Sequence, residues 1–343
     1  MQPAHPGPRI PHGQVLTPSG EEALDRPSPG AQALSPVKQR LLEQLRGQQQ
    51  AARVGTPRGR AELPVVALNA EGDRVPFFCV APAGGSPLCY LELARALGPD
   101  QPFYGFQSQG LLDGKPMLSS VEDMVTLNLQ GLRTVQPEGP YLLGGWSFGG
   151  IVAFEMARRL EAEGQKVALL ALLDGGVVHS DKPLKLHRPR DLALWLMILG
   201  NYVSKLKPPT SYEELRVLAQ WVGVSLPVSP RENLQGGVAS QWRFIRRMGH
   251  DLLNAVQMFT TNTRAGSRYV PGPYGGGRVA LLRTPQDVHV EADPLINGVR
   301  RYCTGELEIY ETPGSHLALM MDKDQVEALA KQLRWCLERA VAP

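Results

Sequence analysis

Tyr141-Leu142-Leu143-Gly144-Gly145-Trp146-Ser147-Phe148-Gly149-Gly150 runs directly into Ile151-Val152-Ala153-Phe154-Glu155-Met156-Ala157. An apolar run short enough for a buried strand enters this stretch, and a segment with helical spacing leaves it. Between them stands a Gly-x-Ser-x-Gly pentapeptide, residues 145 to 149. The pattern alone arises by chance. Flanked by a strand and a helix, it describes a sharp turn in which two glycines let both elements close around a strained serine. Such a turn presents the Ser147 hydroxyl at the carboxyl edge of a sheet, where the N-terminus of the following helix favours developing negative charge. The plainer alternative is a glycine-rich turn with an inert serine. A phosphate-binding P-loop is excluded, because no Gly-Lys-Ser or Gly-Lys-Thr follows.

The same alternation continues on both sides. Phe77–Val80, Phe103–Phe106, Val167–Leu173, Val279–Leu282 and Leu307–Tyr310 are continuous enough to be strands buried on both faces. Leu88–Leu97, Ser120–Val135, Gly150–Glu163 and Asp324–Ala340 have helical spacing, with Gly98, Gly139 and Gly164 near the expected stops. Alternation of this kind predicts an α/β fold, a mostly parallel central sheet with helices on both faces. It breaks between Asp174 and Val279, where capping boxes at Ser211-Tyr212-Glu213-Glu214 and Ser229-Pro230-Arg231-Glu232 mark helix starts. A helical insertion over about 177–276 is therefore expected as a lid across one end of the sheet.

The glycines and prolines, 36 and 30 of 343 residues, are unevenly spread, and no aromatic residue precedes Phe77. Residues 1–64 are rich in Pro, Gly, Gln, Arg and Ala and lack the apolar surface that offsets the entropy of ordering. A disordered tail or linker is expected there, with one short helix near 36–46 behind Ser35 and Pro36. Residues 65–343 are expected to form the globular domain. The 36 basic side chains exceed the 33 acidic ones by only three, too little for the clustered surplus that nucleic acid requires. Four cysteines, Cys79, Cys89, Cys303 and Cys336, show neither metal-ligand spacing nor a disulfide framework. No metal or cofactor is expected. Prolines interrupt any signal-peptide core in the first twenty residues, and no apolar run approaches the roughly 20 residues that span a bilayer. These features predict a soluble cytoplasmic protein without a membrane partner.

A serine hydroxyl becomes nucleophilic through a base, and the base is oriented by an acid. Of seven histidines, His5 and His12 lie in the tail, His179, His187 and His250 in the insertion, and His289 in a loop. His316 alone stands after the last strand and before the final helix, where the order serine, acid, histidine of an α/β-hydrolase puts the base. Asp174 and Asp287 both follow strands, and from the residues alone either can be the acid. For the oxyanion, the Phe148 N–H is one donor. The loop Val80-Ala81-Pro82-Ala83-Gly84-Gly85-Ser86 holds the other, with Ala83 the expected residue.

These segments resemble the type I thioesterase domains that end non-ribosomal peptide and polyketide assembly lines, and their free-standing relatives. The resemblance covers roughly Pro64 to Ala340. It rests on Ala81-Pro82-Ala83-Gly84-Gly85-Ser86, Tyr104-Gly105-Phe106-Gln107, the Ser147 turn, Leu172-Leu173-Asp174 and Gly314-Ser315-His316. In that family the acid follows the strand after the serine turn, which implies Asp174 rather than Asp287. One departure is Ala81-Pro82, where relatives usually carry His-Pro.

The resemblance implies a serine thioesterase. Ser147 would accept an acyl or peptidyl chain from the phosphopantetheine thioester of a carrier protein, and release it by hydrolysis or macrocyclisation. The expected partner is that acyl or peptidyl carrier protein, acting on a monomer. An oxygen-ester hydrolase or acyltransferase on the same three residues is a second reading, and a non-catalytic binding protein on a hydrolase fold a third. Trp195, Leu196, Trp221, Trp242 and Met258 either line an acyl cavity or pack the insertion. Arg243, Arg246, Arg247, Arg264 and Arg268 either meet the arm's phosphate or an acidic carrier, or form a solvated face.

Overall fold

The computed structural model describes residues 63–177, 237–285 and 293–341. The helix expected near 36–46, most of the expected tail, the first part of the insertion, Asp287 and His289 lie outside the described residues.

Among the described residues seven strands form one sheet: β1 (Val65–Asn69), β2 (Phe77–Val80), β3 (Phe103–Phe106), β4 (Tyr141–Trp146), β5 (Val167–Leu173), β6 (Arg278–Arg283) and β7 (Leu307–Glu311). Their order is β1-β3-β2-β4-β5-β6-β7, with β1 antiparallel to β3 and every other pairing parallel. A 3-10 turn, Pro87–Tyr90, leads into α1 (Leu91–Leu97). The other helices are α2 (Val121–Val135), α3 (Phe148–Ala162), α4 (Gly237–Arg268), α5 (Pro294–Tyr302), α6 (Ala318–Met321) and α7 (Lys323–Val341). This is the expected α/β architecture. Parallel strands need crossovers, and helices supply them.

Successive side chains of a strand face opposite ways, so the apolar runs feed two cores. Phe77, Cys79, Phe103, Leu142 and Leu169 pack against α1 and α7 through Leu93, Leu329 and Leu333. Phe78, Phe106, Leu143 and Leu170 pack on the other face against α2 and α3 through Val125, Leu132, Phe154 and Leu160. Covering on both faces is why the central strands read as unbroken apolar sequence.

The edges differ. β7 was expected to be buried on both faces, but its residues are half-buried and Glu311 is exposed, because among the described residues no further strand lies beyond it. β1 alternates half-buried with buried residues and carried no strand signal in the sequence. Between β5 and β6 the described part of the insertion is α4, a single helix of 32 residues that packs against α3. Ser120 caps α2: its hydroxyl accepts from the Asp123 N–H at 3.2 Å and donates to the Asp123 carboxylate at 2.6 Å.

A buried carboxylate joins α4 to α3. Glu155 is 2% exposed and accepts from Arg158 at 2.7 and 2.9 Å, from Arg159 at 2.9 Å and from the Tyr269 hydroxyl at 2.6 Å. Burial by itself pushes this carboxyl up, but the hydrogen bonds outweigh it and hold it below its ordinary value of 4.5. A group with a lowered folded-state value stabilises above its unfolded value and stops doing so as acid protonates it. Glu155→Gln is therefore expected to cost about 1–3 kcal/mol at pH 7. In urea denaturation the gap between wild type and variant should close as pH falls below about 4.5.

Candidate active site

The serine turn is strained in the way its glycines foretell. Ser147 has φ 57° and ψ −125°, and together with Asp174 at φ 43° it makes up the non-glycine residues with positive φ among those described. Both follow the ends of adjacent strands. β4 and β5 pair in parallel with Trp146 opposite Leu173, and the Ser147 N–H donates to the Leu173 carbonyl at 3.1 Å. A Cβ added at Gly145 would stand 2.2 Å from the Gly149 carbonyl carbon, so the turn closes only with hydrogen there. Ser147 occupies the N-cap of α3, yet its side chain makes no cap bond, which leaves the hydroxyl available for chemistry.

Asp174 is fastened on every side. Its N–H donates to the Leu282 carbonyl at 2.7 Å. Its carboxylate accepts from the Thr284 N–H at 2.8 Å, the Thr284 hydroxyl at 2.9 Å and His316 Nδ1 at 2.7 Å. The side chain is 3% exposed. Burial pushes the carboxyl up, and the bonds from His316 and Thr284 more than reverse that, holding it below the usual carboxylate range. An ionised carboxylate only accepts, so Nδ1 carries the proton and Nε2 is the nitrogen left to act as a base. The imidazole lies 5.2 Å from the Trp146 ring, centroid to centroid, tilted by 35°. Gln325 of α7 holds the preceding turn by accepting from the Ser315 N–H at 3.2 Å. Asp174 is 142 residues from His316 and 110 from Thr284, so these groups meet only through the sheet: β4, β5, β6 and β7 each deliver one residue or its support.

Of the two expected oxyanion donors, Phe148 follows the serine directly and Ala83 stands in the loop after β2. Phe148 opens α3, so its N–H is one of the helix's unpaired N-terminal donors. Ala83 lies in a tight turn closed by the Gly85 N–H on the Pro82 carbonyl at 2.8 Å. Ala81, at the position of the missing histidine, is buried and donates its N–H to the Phe106 carbonyl at 3.1 Å. A recess lined by Val80, Gln107, Ser108, Asn128 and Phe148 opens beside this loop.

Three residues at the site were not anticipated. Thr284 braces Asp174, Trp146 packs against His316, and Tyr90 ties the strand ends. The Tyr90 hydroxyl donates to the Val80 carbonyl at 2.6 Å and accepts the Trp146 N–H at 3.0 Å. With Val80 opposite Gly145, that N–H and carbonyl face each other at the last rung of the β2–β4 ladder, and the phenol stands between them. Of the insertion residues singled out in the sequence, Met258 is buried against Gly85 and Ser108, Arg246 and Arg268 are exposed, and Arg264 is half-buried. Trp195, Leu196 and Trp221, and the side chains of Trp242, Arg243 and Arg247, lie outside the described residues.

Thr284→Val keeps the backbone donor to Asp174 and removes the hydroxyl. A hydrogen bond to a charged group is worth about 1.5–3 kcal/mol, so the labelling rate of Ser147 by a fluorophosphonate should fall about tenfold.

A family model described as Thioesterase domain matches residues 75–336. Atromentin synthetase of Tapinella panuoides is 28% identical over 289 residues, which are 80% of this chain and 28% of that protein. A dimodular nonribosomal peptide synthase of Bacillus subtilis is 38% identical over 135 residues, 39% of this chain and 6% of that protein. The chain thus spans less than a third of the length of these curated relatives. Among solved structures, the NocB thioesterase domain in covalent complex with a fluorophosphonate nocardicin G analogue matches with a TM-score of 0.57 at 27% identity, over 80% of this chain and 99% of that one. The sheet, its order and its crossovers are those of an α/β-hydrolase, and this chain belongs to the thioesterase domain family.

Proposed function

We propose that this thioesterase works by two-step acyl transfer through Ser147, with His316 as base, Asp174 as its orienting acid, and the N–H groups of Ala83 and Phe148 as oxyanion donors. The observation that carries the reading is the 2.7 Å contact of His316 Nδ1 with a buried, doubly braced Asp174, next to a serine held at positive φ. Strain at both Ser147 and Asp174 has no structural benefit of its own, and strained residues of this kind gather where chemistry happens.

In the first step Ser147 Oγ attacks the thioester carbonyl and its proton passes to His316 Nε2. The tetrahedral oxyanion is held by the two N–H groups and by the N-terminal end of the α3 dipole. Collapse breaks the C–S bond, and His316 returns the proton to the departing thiolate. In the second step His316 takes a proton from the incoming nucleophile as that group attacks the ester, then hands it to Ser147 Oγ. Water gives a free acid; an internal amine or hydroxyl gives a ring. Asp174 holds the imidazole in the required tautomer throughout and stabilises the imidazolium.

The substrate class inferred is an acyl or peptidyl chain on the phosphopantetheine arm of a carrier protein. Support comes from the relatives, which are multidomain synthetases. The insertion between β5 and β6 is read as the lid, because α4 crosses beside the oxyanion loop. Incubation with an octanoyl-pantetheine thioester should release thiol. Ser147→Ala should lower that release by at least three orders of magnitude and abolish fluorophosphonate labelling. Unchanged release by the variant would overturn the reading, and faster cleavage of the matched oxygen ester would favour an esterase instead.

A further inference from the structure

We propose that Asn262 of α4 is a positioning residue for the oxyanion turn, locking the peptide that follows Ala83. This rests on the reading of Ala83 as a donor. Asn262 is 0% exposed, and its amide nitrogen donates to the Ala83 carbonyl at 3.0 Å and to the Ser108 hydroxyl at 3.3 Å. The direction of the amide follows from chemistry: reversed, its oxygen would face the Ala83 oxygen, acceptor against acceptor.

The turn it touches has two accessible forms. The bond from the Gly85 N–H to the Pro82 carbonyl closes a β-turn with Ala83 and Gly84 at its centre. Types I and II of such a turn share that closing bond and differ by a reversal of the central peptide, here Ala83–Gly84. Type II needs positive φ at the second central residue, which glycine adopts at no steric cost. Gly84 stays outside the positive-φ region, so the turn is not type II. Although the Ala83 N–H belongs to the preceding peptide and does not itself invert, reversal would exchange the Ala83 carbonyl for the Gly84 N–H by rotation about the residue that carries the donor. Nothing in the turn's own sequence forbids it. The Asn262 bond to the Ala83 oxygen does, because only one orientation of that peptide can accept it.

The remaining atom of the side chain argues against a purely structural role. Asn262 Oδ1 is buried and has no hydrogen-bond partner among the described residues. Leucine at this position would remove that unpaired acceptor, which costs roughly 1–3 kcal/mol, while unpairing the Ala83 oxygen, so the amide gains little net stability from its place. Asn254, two turns earlier on α4, gives the contrast. It anchors the helix to the Gly110 and Leu111 carbonyls at 3.1 and 2.9 Å, away from the oxyanion turn.

The test compares Asn262→Leu with Asn254→Ala on octanoyl-pantetheine hydrolysis, fluorophosphonate labelling and thermal melting. Asn262→Leu is expected to lower Tm no more than Asn254→Ala does and to leave KM within about twofold, while kcat and the labelling rate both fall about tenfold. Asn254→Ala should lower Tm and leave the labelling rate within about twofold. If leucine prevents folding, Asn262→Ala carries the same expectation for kcat and labelling, measured per folded site. Near wild-type kcat and labelling in the Asn262 variants, or losses that track Tm equally at both positions, would overturn the proposal. That outcome leaves the Ser147 reading intact, since only the Ser147→Ala result bears on it.

Discussion

The parallel register of β4 against β5 is the constraint from which the site follows. With Trp146 opposite Leu173, the next residue of each strand is Ser147 and Asp174, and neither strand can continue as a strand. Both backbones turn through positive φ, the serine into α3 and the aspartate into Gly175, which lies on the Ser147 backbone. The Ser147 N–H on Leu173 and the Asp174 N–H on Leu282 hold the two departures together. A slip of one residue in this register would reverse every side chain of a strand that is buried on both faces, so the cores enforce it. Ser147 and Asp174 are thereby fixed by the packing of Leu142, Leu143, Leu169 and Leu170.

Around that register the sheet is opened at its carboxyl end and then tied. Tyr90 replaces a direct rung between β2 and β4 with two hydrogen bonds through its hydroxyl, joining the strand that enters the oxyanion loop to the strand that enters the serine turn. Burial pushes its phenol well above the ordinary range, so it remains a neutral donor and acceptor at any working pH. Further along, Arg283 and Asp293, 1% and 2% exposed, pair at 2.8 Å just before and after the segment that carries Thr284. The contact is electrostatic rather than a well-aligned hydrogen bond, since neither atom meets a partner in hydrogen-bond geometry among the described residues. It is the kind of buried pair that fixes position more than it stabilises.

Legibility in the sequence followed the range of the interactions. The Ser147 turn, the Ser120 cap and the central strands are local features, and their residues specify them directly. β1 was missed because a half-buried edge strand of five residues has too little pattern to register, and β7 was judged too buried for the same reason. Asp174 could not be separated from Asp287 by local signals, since both follow strands; the family resemblance chose between them, and the structure brings Asp174 to His316. Thr284, Tyr90 and Asn262 carried no signal at all. Each acts on a residue 110, 56 or 179 positions away, and no spacing rule reaches that far.

The sequence by itself determined the alternation of strand and helix, the strained serine between two glycines, and the histidine before the last helix. Those depend on periodicity, steric limits and chain order, which are properties of neighbouring residues. The tertiary structure alone decided which aspartate meets His316, what braces that aspartate, and which side chain of α4 reaches the turn after β2. Those are contacts between segments that share only the sheet, and they exist only once its register has been set.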